Sequence, residues 1–202
     1  MLIYGSGGHA KVLISSLQAL NMNVSGVFDD DPHVVPQQNI PFLGSYHPGI
    51  FPTRLVILGM GDIGTRLRLA AGIRHAYGQI VHPSALVDVS VPLGLGSVIL
   101  QGAIVQVGSI IGPQVIINTR ASVDHDCRIG AFVHIAPGAI ICGGVSVGAN
   151  TLVGAGSILV PGIRIGENCF IAAGSVITQD FPDGCFIRGN PAKRIGTYQH
   201  AI

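Results

Sequence analysis

The chain has 202 residues, a formal net charge of +1 at pH 7, 48% hydrophobic residues and only 10% charged residues. So neutral a chain offers no basic patch for nucleic acid or for an anionic membrane surface, and both partner classes are disfavoured. Its four cysteines lack the spacing of a metal site, so we expect reduced thiols that pack as small apolar groups in a cytoplasmic protein. The first residues show no signal-peptide pattern.

The N-terminal part of the chain is predicted to form a small parallel α/β domain. Short apolar runs alternate with segments of helical spacing, and a loop rich in Pro and His separates the second and third runs. Strand–helix units in succession are typical of a Rossmann-like sheet. The expected elements are strands at 2–4, 24–28 and 55–58, and helices at 10–20 and from 63 to about 77.

A glycine-rich turn follows the first predicted strand. Residues 5–10 have the sequence Gly-Ser-Gly-Gly-His-Ala, a loose form of the dinucleotide fingerprint, in which glycines and a helix N-terminus approach phosphate. Asp29 and Asp30 end the second strand, where acidic side chains usually meet ribose or base. The motif also fits a tight turn with no ligand. Because the domain is short for a complete NAD fold, a nucleotide-linked ligand is favoured over NAD.

From residue 81 the sequence repeats every six residues. Val, Ile or Leu occupies all 17 positions reached in steps of six from Val81 to Ile177, and the pattern stops at Asp183. A helix repeats every 3.6 residues and a half-buried strand every two, so this period indicates a hexapeptide β-helix. We predict nearly six coils with three flat faces and aliphatic side chains inside. Glycines often follow the aliphatic residue, and we expect them to take unusual φ and ψ at the corners.

An uncharged run from Val89 to Thr119 has the hydropathy of a membrane span. Glycines, glutamines and a proline interrupt this run, and the six-residue register continues through it. We therefore expect β-helix and no membrane span.

Charge is concentrated at one place in the repeat. Four of the seven charged residues between Ile80 and Thr178 lie within residues 120–128, around His125. A carboxylate beside a histidine raises its basicity and orients its ring, as a general base requires. The alternative is a solvated corner whose charges merely pair. A zinc site of three histidines is poorly supported, because His134 and the distant His82 are the other histidines of the repeat.

Taken together, these motifs resemble the bacterial nucleotide-sugar acetyltransferases of the left-handed β-helix type. The resemblance covers essentially the whole chain. Nearest in pattern are enzymes that N-acetylate nucleotide-linked 4-amino-sugars, and the sialic-acid O-acetyltransferases are more distant. The segments that carry it are Tyr4–His9, Phe28–Asp30, Ile117–Thr119, His125–Gly130, His134 and Gly189–Lys193.

The resemblance implies roles for individual residues. It implies that His125 is the general base, that Asp126 raises its basicity and that Asn118 is a polar active-site residue. The residues implied to contact acetyl-CoA are His134, Gly143, Ala155, Ala173, Pro191 and Lys193. Those implied to line a nucleotide-sugar pocket are Gly7, Gly8, His9, Asp29, Asp30, Gly59 and Asp62. It further implies a homotrimer with acetyl-CoA in the clefts between neighbouring β-helices, and no metal.

Three segments are therefore predicted: a nucleotide-sugar-binding α/β domain at 1–79, a left-handed β-helix acetyltransferase domain at 80–181, and a C-terminal turn and polar tail over the CoA site at 182–202. The predicted reaction is direct acetyl transfer from acetyl-CoA to the 4-amino group of a nucleotide-linked amino-deoxy-sugar. Two alternatives stay open: an O-acetyltransferase acting on a sugar hydroxyl, of the sialic-acid type, and a non-catalytic β-helix binding module. An NAD-dependent enzyme is disfavoured by the short first domain.

Overall fold

A computed structural model describes residues 1–34 and 39–200, so residues 35–38 of the predicted Pro- and His-rich loop and the last two residues lie outside it. The N-terminal part is the predicted Rossmann-like parallel α/β unit. Its elements are β1 (Leu2–Tyr4), α1 (Gly8–Ala19), β2 (Gly26–Phe28), β3 (Val56–Leu58) and α2 (Ile63–Ala70). The three strands are parallel in the order β2–β1–β3. Their carboxyl ends therefore meet at one edge, where ligands of such sheets bind.

Helix α2 is shorter than predicted. Its expected end lay near Tyr77, but the helix ends at Ala70. Gly72 follows closely, and glycine is a poor helix former. Tyr77 then pairs with Val56 as an isolated parallel bridge. The apolar residues after the helix are therefore drawn into pairing with the sheet, which the helical spacing alone does not reveal.

The repeat region is a parallel β-helix, as predicted. At Leu93 the repeat makes an isolated bridge with Ile111, and the other repeat positions each carry a two-residue strand. These strands are β4 (Ile80–Val81), β5 (Leu86–Val87), β6 (Val98–Ile99), β7 (Ile104–Val105), β8 (Ile110–Ile111), β9 (Ile116–Ile117), β10 (Ser122–Val123), β11 (Arg128–Ile129), β12 (His134–Ile135), β13 (Ile140–Ile141), β14 (Ser146–Val147), β15 (Leu152–Val153), β16 (Ile158–Leu159), β17 (Arg164–Ile165), β18 (Phe170–Ile171) and β19 (Val176–Ile177).

Three flat sheets form the faces of this column. Strands stack in parallel at intervals of 18 residues, as in the register of Ser122 with Ile140. The faces have eight, six and four strands. We call the corner between the eight- and six-stranded sheets the eight–six corner, and that between the six- and four-stranded sheets the six–four corner. The aliphatic repeat residues form one continuous core along the column, together with small residues such as the buried Ala121, Cys127 and Cys169.

The glycines that follow the aliphatic residues do not have the positive φ expected of them. From Ile99 onwards, positive φ occurs instead three residues before each aliphatic, for example at Gly102, Gly108 and Asp126. The glycines after the aliphatics are needed for a different reason: a Cβ at Gly130 would lie 2.6 Å from the backbone nitrogen of Ala149 in the next coil. Close stacking of coils, and not chain reversal, requires glycine there.

The C-terminal segment is a β-hairpin instead of the predicted polar tail. Strands β20 (Cys185–Gly189) and β21 (Ala192–Thr197) are antiparallel, with a cis Asn190–Pro191 peptide between them. Strand β20 pairs in parallel with β18 and so extends the eight-stranded sheet. Cys185 and Ile187 are fully buried, which explains why this short segment of alternating residues packs against the column. Outward-facing charges in β21 made the segment look uniformly polar in sequence.

The α/β domain packs on the outer face of the eight-stranded sheet. Leu13 and Leu17 of α1 share a buried cluster with Val98 and Ile116 of the β-helix. The uncharged run that resembled a membrane span lies in the coils of the β-helix. Within the described residues, neither helix is long and apolar enough to cross a membrane.

The stacking requirement predicts the effect of one methyl group. Gly130→Ala places a Cβ against the backbone of the next coil, so we expect it to destabilise the fold by about 1–3 kcal/mol, the usual cost of overpacking. Gly196→Ala is the matched control, since nothing lies within 4 Å of a Cβ at that position. Urea unfolding followed by circular dichroism measures both. Equal midpoints for the two variants would contradict the stacking explanation.

Candidate active site

A cavity of about 430 Å³ lies at the carboxyl ends of the three parallel strands. It is bounded by the glycine turn after β1, the acidic end of β2 and the loop between β3 and α2. All the residues predicted for the nucleotide-sugar pocket line it, namely Gly7, Gly8, His9, Asp29, Asp30, Gly59 and Asp62. The structure therefore brings this predicted set together.

The glycine turn is open towards the cavity. A Cβ at Gly7 or Gly8 would meet nothing within 4 Å, and neither residue has a positive φ. Protein packing therefore gives no reason for glycine at these two positions. The start of α1 also has no side-chain cap. Open glycines at an uncapped helix N-terminus leave space and backbone N–H groups for an anionic ligand.

The two aspartates at the end of β2 are held by the protein. The backbone N–H of Ser6 donates to Asp29 Oδ2 at 2.7 Å, and the Tyr4 hydroxyl donates to Asp30 Oδ2 at 2.6 Å. Burial and then the hydrogen bond to Asp30 raise the pKa of Tyr4 above its usual range, so the phenol keeps its proton. Both carboxylates are thereby oriented at the cavity wall.

Two histidines lie beside this cavity in a desolvated environment. The rings of His9 and His134 have centroids 6.5 Å apart. Burial lowers the pKa of His9 to about 4, and burial likewise lowers the pKa of His134 to about 4. Arg66 adds a smaller lowering to both. Both rings are therefore neutral near pH 7, which suits hydrogen bonding and not charge pairing.

A second cavity, of about 420 Å³, adjoins the first and shares Gly61 and Asp62 with it. Its walls are mostly apolar and come from the β3–α2 loop, the eight-stranded sheet and the C-terminal segment. Among the residues predicted to contact acetyl-CoA, His134, Ala155 and Ala173 line it. The second cavity therefore lies along the eight–six corner and adjoins the first cavity, which is formed by the α/β domain.

His125 and Asp126 form a close pair at the six–four corner. His125 Nδ1 lies 2.8 Å from Asp126 Oδ2, and the two side chains are 58% and 72% exposed. The hydrogen bond to Asp126, followed by the charge of Asp124, raises the pKa of His125 above 6.5. The corner residue Asp126 has a φ of 59°, a left-handed conformation that aspartate tolerates. The hexapeptide corner thus aims the carboxylate at the ring.

Gly143 leaves room for the other nitrogen of this imidazole. Gly143 lies one coil beyond His125, and a Cβ there would be 2.5 Å from His125 Nε2. Only glycine lets the ring occupy this place. With Nδ1 bonded to the carboxylate, Nε2 is the nitrogen positioned to accept a proton.

The single chain does not bring all predicted catalytic residues together. His125 and Gly143 lie at the six–four corner, whereas Asn118, Ala155 and Ala173 lie at the eight–six corner. In a three-sided column the six–four corner is opposite the eight-stranded face, on which the α/β domain packs. His125 therefore lies at a different corner from the second cavity, and across the column from the domain that contains the first cavity.

The structure also places residues that sequence reasoning missed. Tyr198 and His200 line the second cavity from the C-terminal segment, whereas the predicted Pro191 and Lys193 lie in the hairpin and line neither cavity. Arg66 is 1% exposed on α2; its guanidinium donates to the Gln114 carbonyl and docks the helix on the column. Arg66 could have been found in the sequence, because it is an arginine on an otherwise apolar face of the predicted helix. No pattern in the sequence indicated Tyr198.

Within residues 1–34 and 39–200, no group of three His, Cys, Asp or Glu side chains is placed to hold a metal ion. In the same ranges the four cysteines are free.

Comparison with known proteins finds a family model for part of each domain. A family model described as the PglD N-terminal domain matches residues 1–73, and one described as the hexapeptide repeat of succinyl-transferase matches residues 144–179. A mutant perosamine N-acetyltransferase from Caulobacter crescentus, solved with CoA and GDP-perosamine, is 37% identical over 96% of either chain, with a TM-score of 0.92. The chain belongs to the nucleotide-sugar N-acetyltransferases of the hexapeptide-repeat family. It is therefore an enzyme, and the resemblance inferred from its motifs is confirmed.

Further solved structures agree with this membership. The acetyltransferase domain of PglB from Neisseria gonorrhoeae is 32% identical to the enzyme, with 96% of this chain and 98% of that chain covered and a TM-score of 0.87. The same domain has been solved in complex with acetyl coenzyme A. WeeI from Acinetobacter baumannii, at 23% identity and a TM-score of 0.86, shares the fold. A comparison with curated protein sequences finds no significant match.

The two buried histidines predict how stability depends on pH. Their folded pKa values of about 4 lie below the unfolded value of 6.5. Below pH 6.5 the two histidines therefore bind protons in the unfolded chain but not in the folded one. Their contribution to the free energy of unfolding is fully present above pH 6.5 and is lost as the pH falls to about 4. The shift of about 2.5 pKa units, at about 1.4 kcal/mol per unit, gives each ring roughly 3.5 kcal/mol of that loss.

Thermal unfolding between pH 7.5 and 4 measures this loss. The double variant His9→Gln/His134→Gln should show a flatter dependence of the midpoint on pH than the unmodified enzyme. His47→Gln changes an exposed histidine and serves as the control. A double variant with an undiminished slope would show that other groups cause the acid sensitivity.

Proposed function

We propose that the enzyme transfers the acetyl group of acetyl-CoA directly to the 4-amino group of a nucleotide-linked amino-deoxy-sugar, with His125 as general base. The observation that carries the assignment of the base is the His125–Asp126 pair at 2.8 Å, with Nε2 held beside Gly143. The substrate class is supported by the solved relative that binds CoA and GDP-perosamine.

His125 and Asp126 would together remove one proton from the attacking amine. The attacking amine loses a proton as its nitrogen bonds to the thioester carbon, and Nε2 of His125 accepts it. Asp126 then stabilises the resulting imidazolium through Nδ1–H. CoA leaves as the thiol, so no acyl-enzyme is needed. Backbone N–H groups near Gly143 would stabilise the developing oxyanion, as preorganised donors do.

The first cavity would hold the nucleotide part of the substrate. Its open glycine turn at the start of α1 suits the diphosphate, and the oriented carboxylates of Asp29 and Asp30 suit hydroxyl or N–H donors of ribose or base. The second cavity would receive part of acetyl-CoA along the eight–six corner, near Ala155 and Ala173. Neither cavity contains the proposed base of its own chain.

We therefore propose a homotrimer in which two different corners meet. Cyclic symmetry would place the six–four corner of one protomer against the eight–six corner of the next, a heterologous contact that closes after three copies. His125 of one protomer would then face Asn118 and the cavities of its neighbour. The separation of these residues within one chain is the support for this arrangement.

Removing the base is the most direct test of the mechanism. His125→Ala should lower kcat by about 10²–10⁴, the usual contribution of a general base, with little change in the KM for either substrate. His47→Ala, an exposed histidine of the α/β domain, should leave kcat unchanged. The product should be an amide that survives mild alkali. A near-normal rate in His125→Ala, or an alkali-labile ester product, would contradict the proposal.

The role of Asp126 gives a pH prediction with a definite sign. The base must be neutral, so kcat/KM should rise with pH through the raised pKa of His125, above 6.5. Asp126→Asn removes the largest cause of that raised value, so the acidic limb should move to lower pH and the plateau rate should fall. Glu167→Gln, an exposed carboxylate at another corner, is the control. An acidic limb that stays in place would exclude the pairing as the cause.

Co-expression of two impaired variants tests whether neighbouring protomers share the site. His125→Ala damages only the six–four corner, and Asn118→Ala damages only the eight–six corner. In randomly mixed trimers about a quarter of the interfaces combine two intact corners, so about a quarter of the activity should return. Sedimentation should give about three times the 20.9 kDa chain mass. Mixed oligomers without activity would place the site within one chain.

A further inference from the structure

A chain of hydrogen bonds joins the α/β domain to the eight–six corner through one histidine. Nδ1 of His134 lies 3.1 Å from the carbonyl oxygen of Gly61, and Nε2 lies 3.1 Å from Nδ2 of Asn118. A carbonyl oxygen only accepts, so Nδ1 must carry the proton. Nε2 is then a lone-pair acceptor for the Asn118 amide. The two partners together fix the neutral Nδ1–H tautomer.

The carboxamide of Asn118 is held at both ends. Its Oδ1 accepts the backbone N–H of Thr119 at 2.8 Å, and its Nδ2 donates to His134. An amide nitrogen has two N–H bonds, so the second one has its direction set by these contacts. This N–H belongs to the corner at which Asn118 is proposed to act.

The other end of the chain lies in the loop between β3 and α2. Gly61 and Asp62 of this loop line both cavities. The loop packs closely on the ring, since a Cβ at Gly61 would lie 3.3 Å from Cε1 of His134. Asp62 anchors the loop by accepting the Thr65 N–H at 2.8 Å at the start of α2. A ligand that contacts this loop therefore contacts the segment that holds the imidazole.

We propose that His134 is a positioning residue, held by the loop 59–62, that sets the direction of the Asn118 amide at the eight–six corner. The proposal rests on the proposed function for the identity of the two substrates. Both ring nitrogens are already hydrogen-bonded within the chain, so the contact of His134 with acetyl-CoA in the second cavity would be made by the ring carbon atoms.

A double-mutant cycle tests whether His134 acts through Asn118. His134→Ala and Asn118→Ala should each lower kcat by about 10-fold or more, and the double variant should be no slower than Asn118→Ala alone to within about 2-fold. Multiplied losses in the double variant would show that His134 acts independently of Asn118.

His134→Asn separates positioning from structural support. The Asn side chain supplies an N–H at the same number of bonds from Cβ as Nδ1, and it has no atom at the Nε2 position. It should therefore recover the thermal midpoint lost in His134→Ala, through the bond to Gly61, but not kcat. If kcat recovered together with the midpoint, His134 would have only a structural role.

The tautomer can be observed without any turnover. Besides the signals of His125, nitrogen-15 histidine spectra should show a ring with a protonated Nδ1 and an unprotonated Nε2 at pH 7, and the signals of this ring should be missing from His134→Ala. A protonated Nε2 in that ring would overturn the proposal, whatever the substrate. If the proposed function failed instead, the unmodified enzyme would show no acetyl transfer while this signal remained.

Discussion

The stacking of 18-residue coils, each made of three six-residue repeats, in parallel register is the constraint on which the rest of the structure depends. Each coil must bury one aliphatic side chain per face and let the next coil approach at strand spacing. This requirement explains the continuous apolar core and the glycines that follow the aliphatic residues, such as Gly130. It also makes every corner a rigid and repeated backbone position, on which a side chain has a defined direction.

The chemistry depends on two exceptions to this regular pattern. At the six–four corner, His125 and Asp126 occupy positions that are uncharged in most other coils. Gly143, one coil further on, leaves space at Nε2 of the imidazole. On the eight-stranded face the outward-facing position of β12 is His134, which contacts the α/β domain instead of solvent. A rigid column thus carries two histidines in opposite electrostatic states: an exposed one with a raised pKa and a desolvated one with a lowered pKa.

Sequence reasoning failed where tertiary packing overrides local pattern. The residues after α2 were predicted to continue the helix, yet Tyr77 pairs with Val56 at the edge of the sheet. The C-terminal segment looked polar, yet it adds a hairpin whose inward residues are buried, including Ile187. The corner glycines were correctly identified as necessary but for the wrong reason, because the distance to the neighbouring coil cannot be seen in one repeat. In each case the deciding contact joins segments distant in sequence.

By itself, the sequence determined the order of the two folds, the period and burial of the column, and the residues of the first cavity. These follow from local periodicity and from turn motifs, which act over a few residues. Only the tertiary structure decided which corner each functional residue occupies, and it placed His125 away from the cavities of its own chain. It also revealed the His134 bridge to Gly61. The physical reason is that a position on a three-sided column depends on winding and on domain docking, and both are set by contacts between residues far apart in the chain.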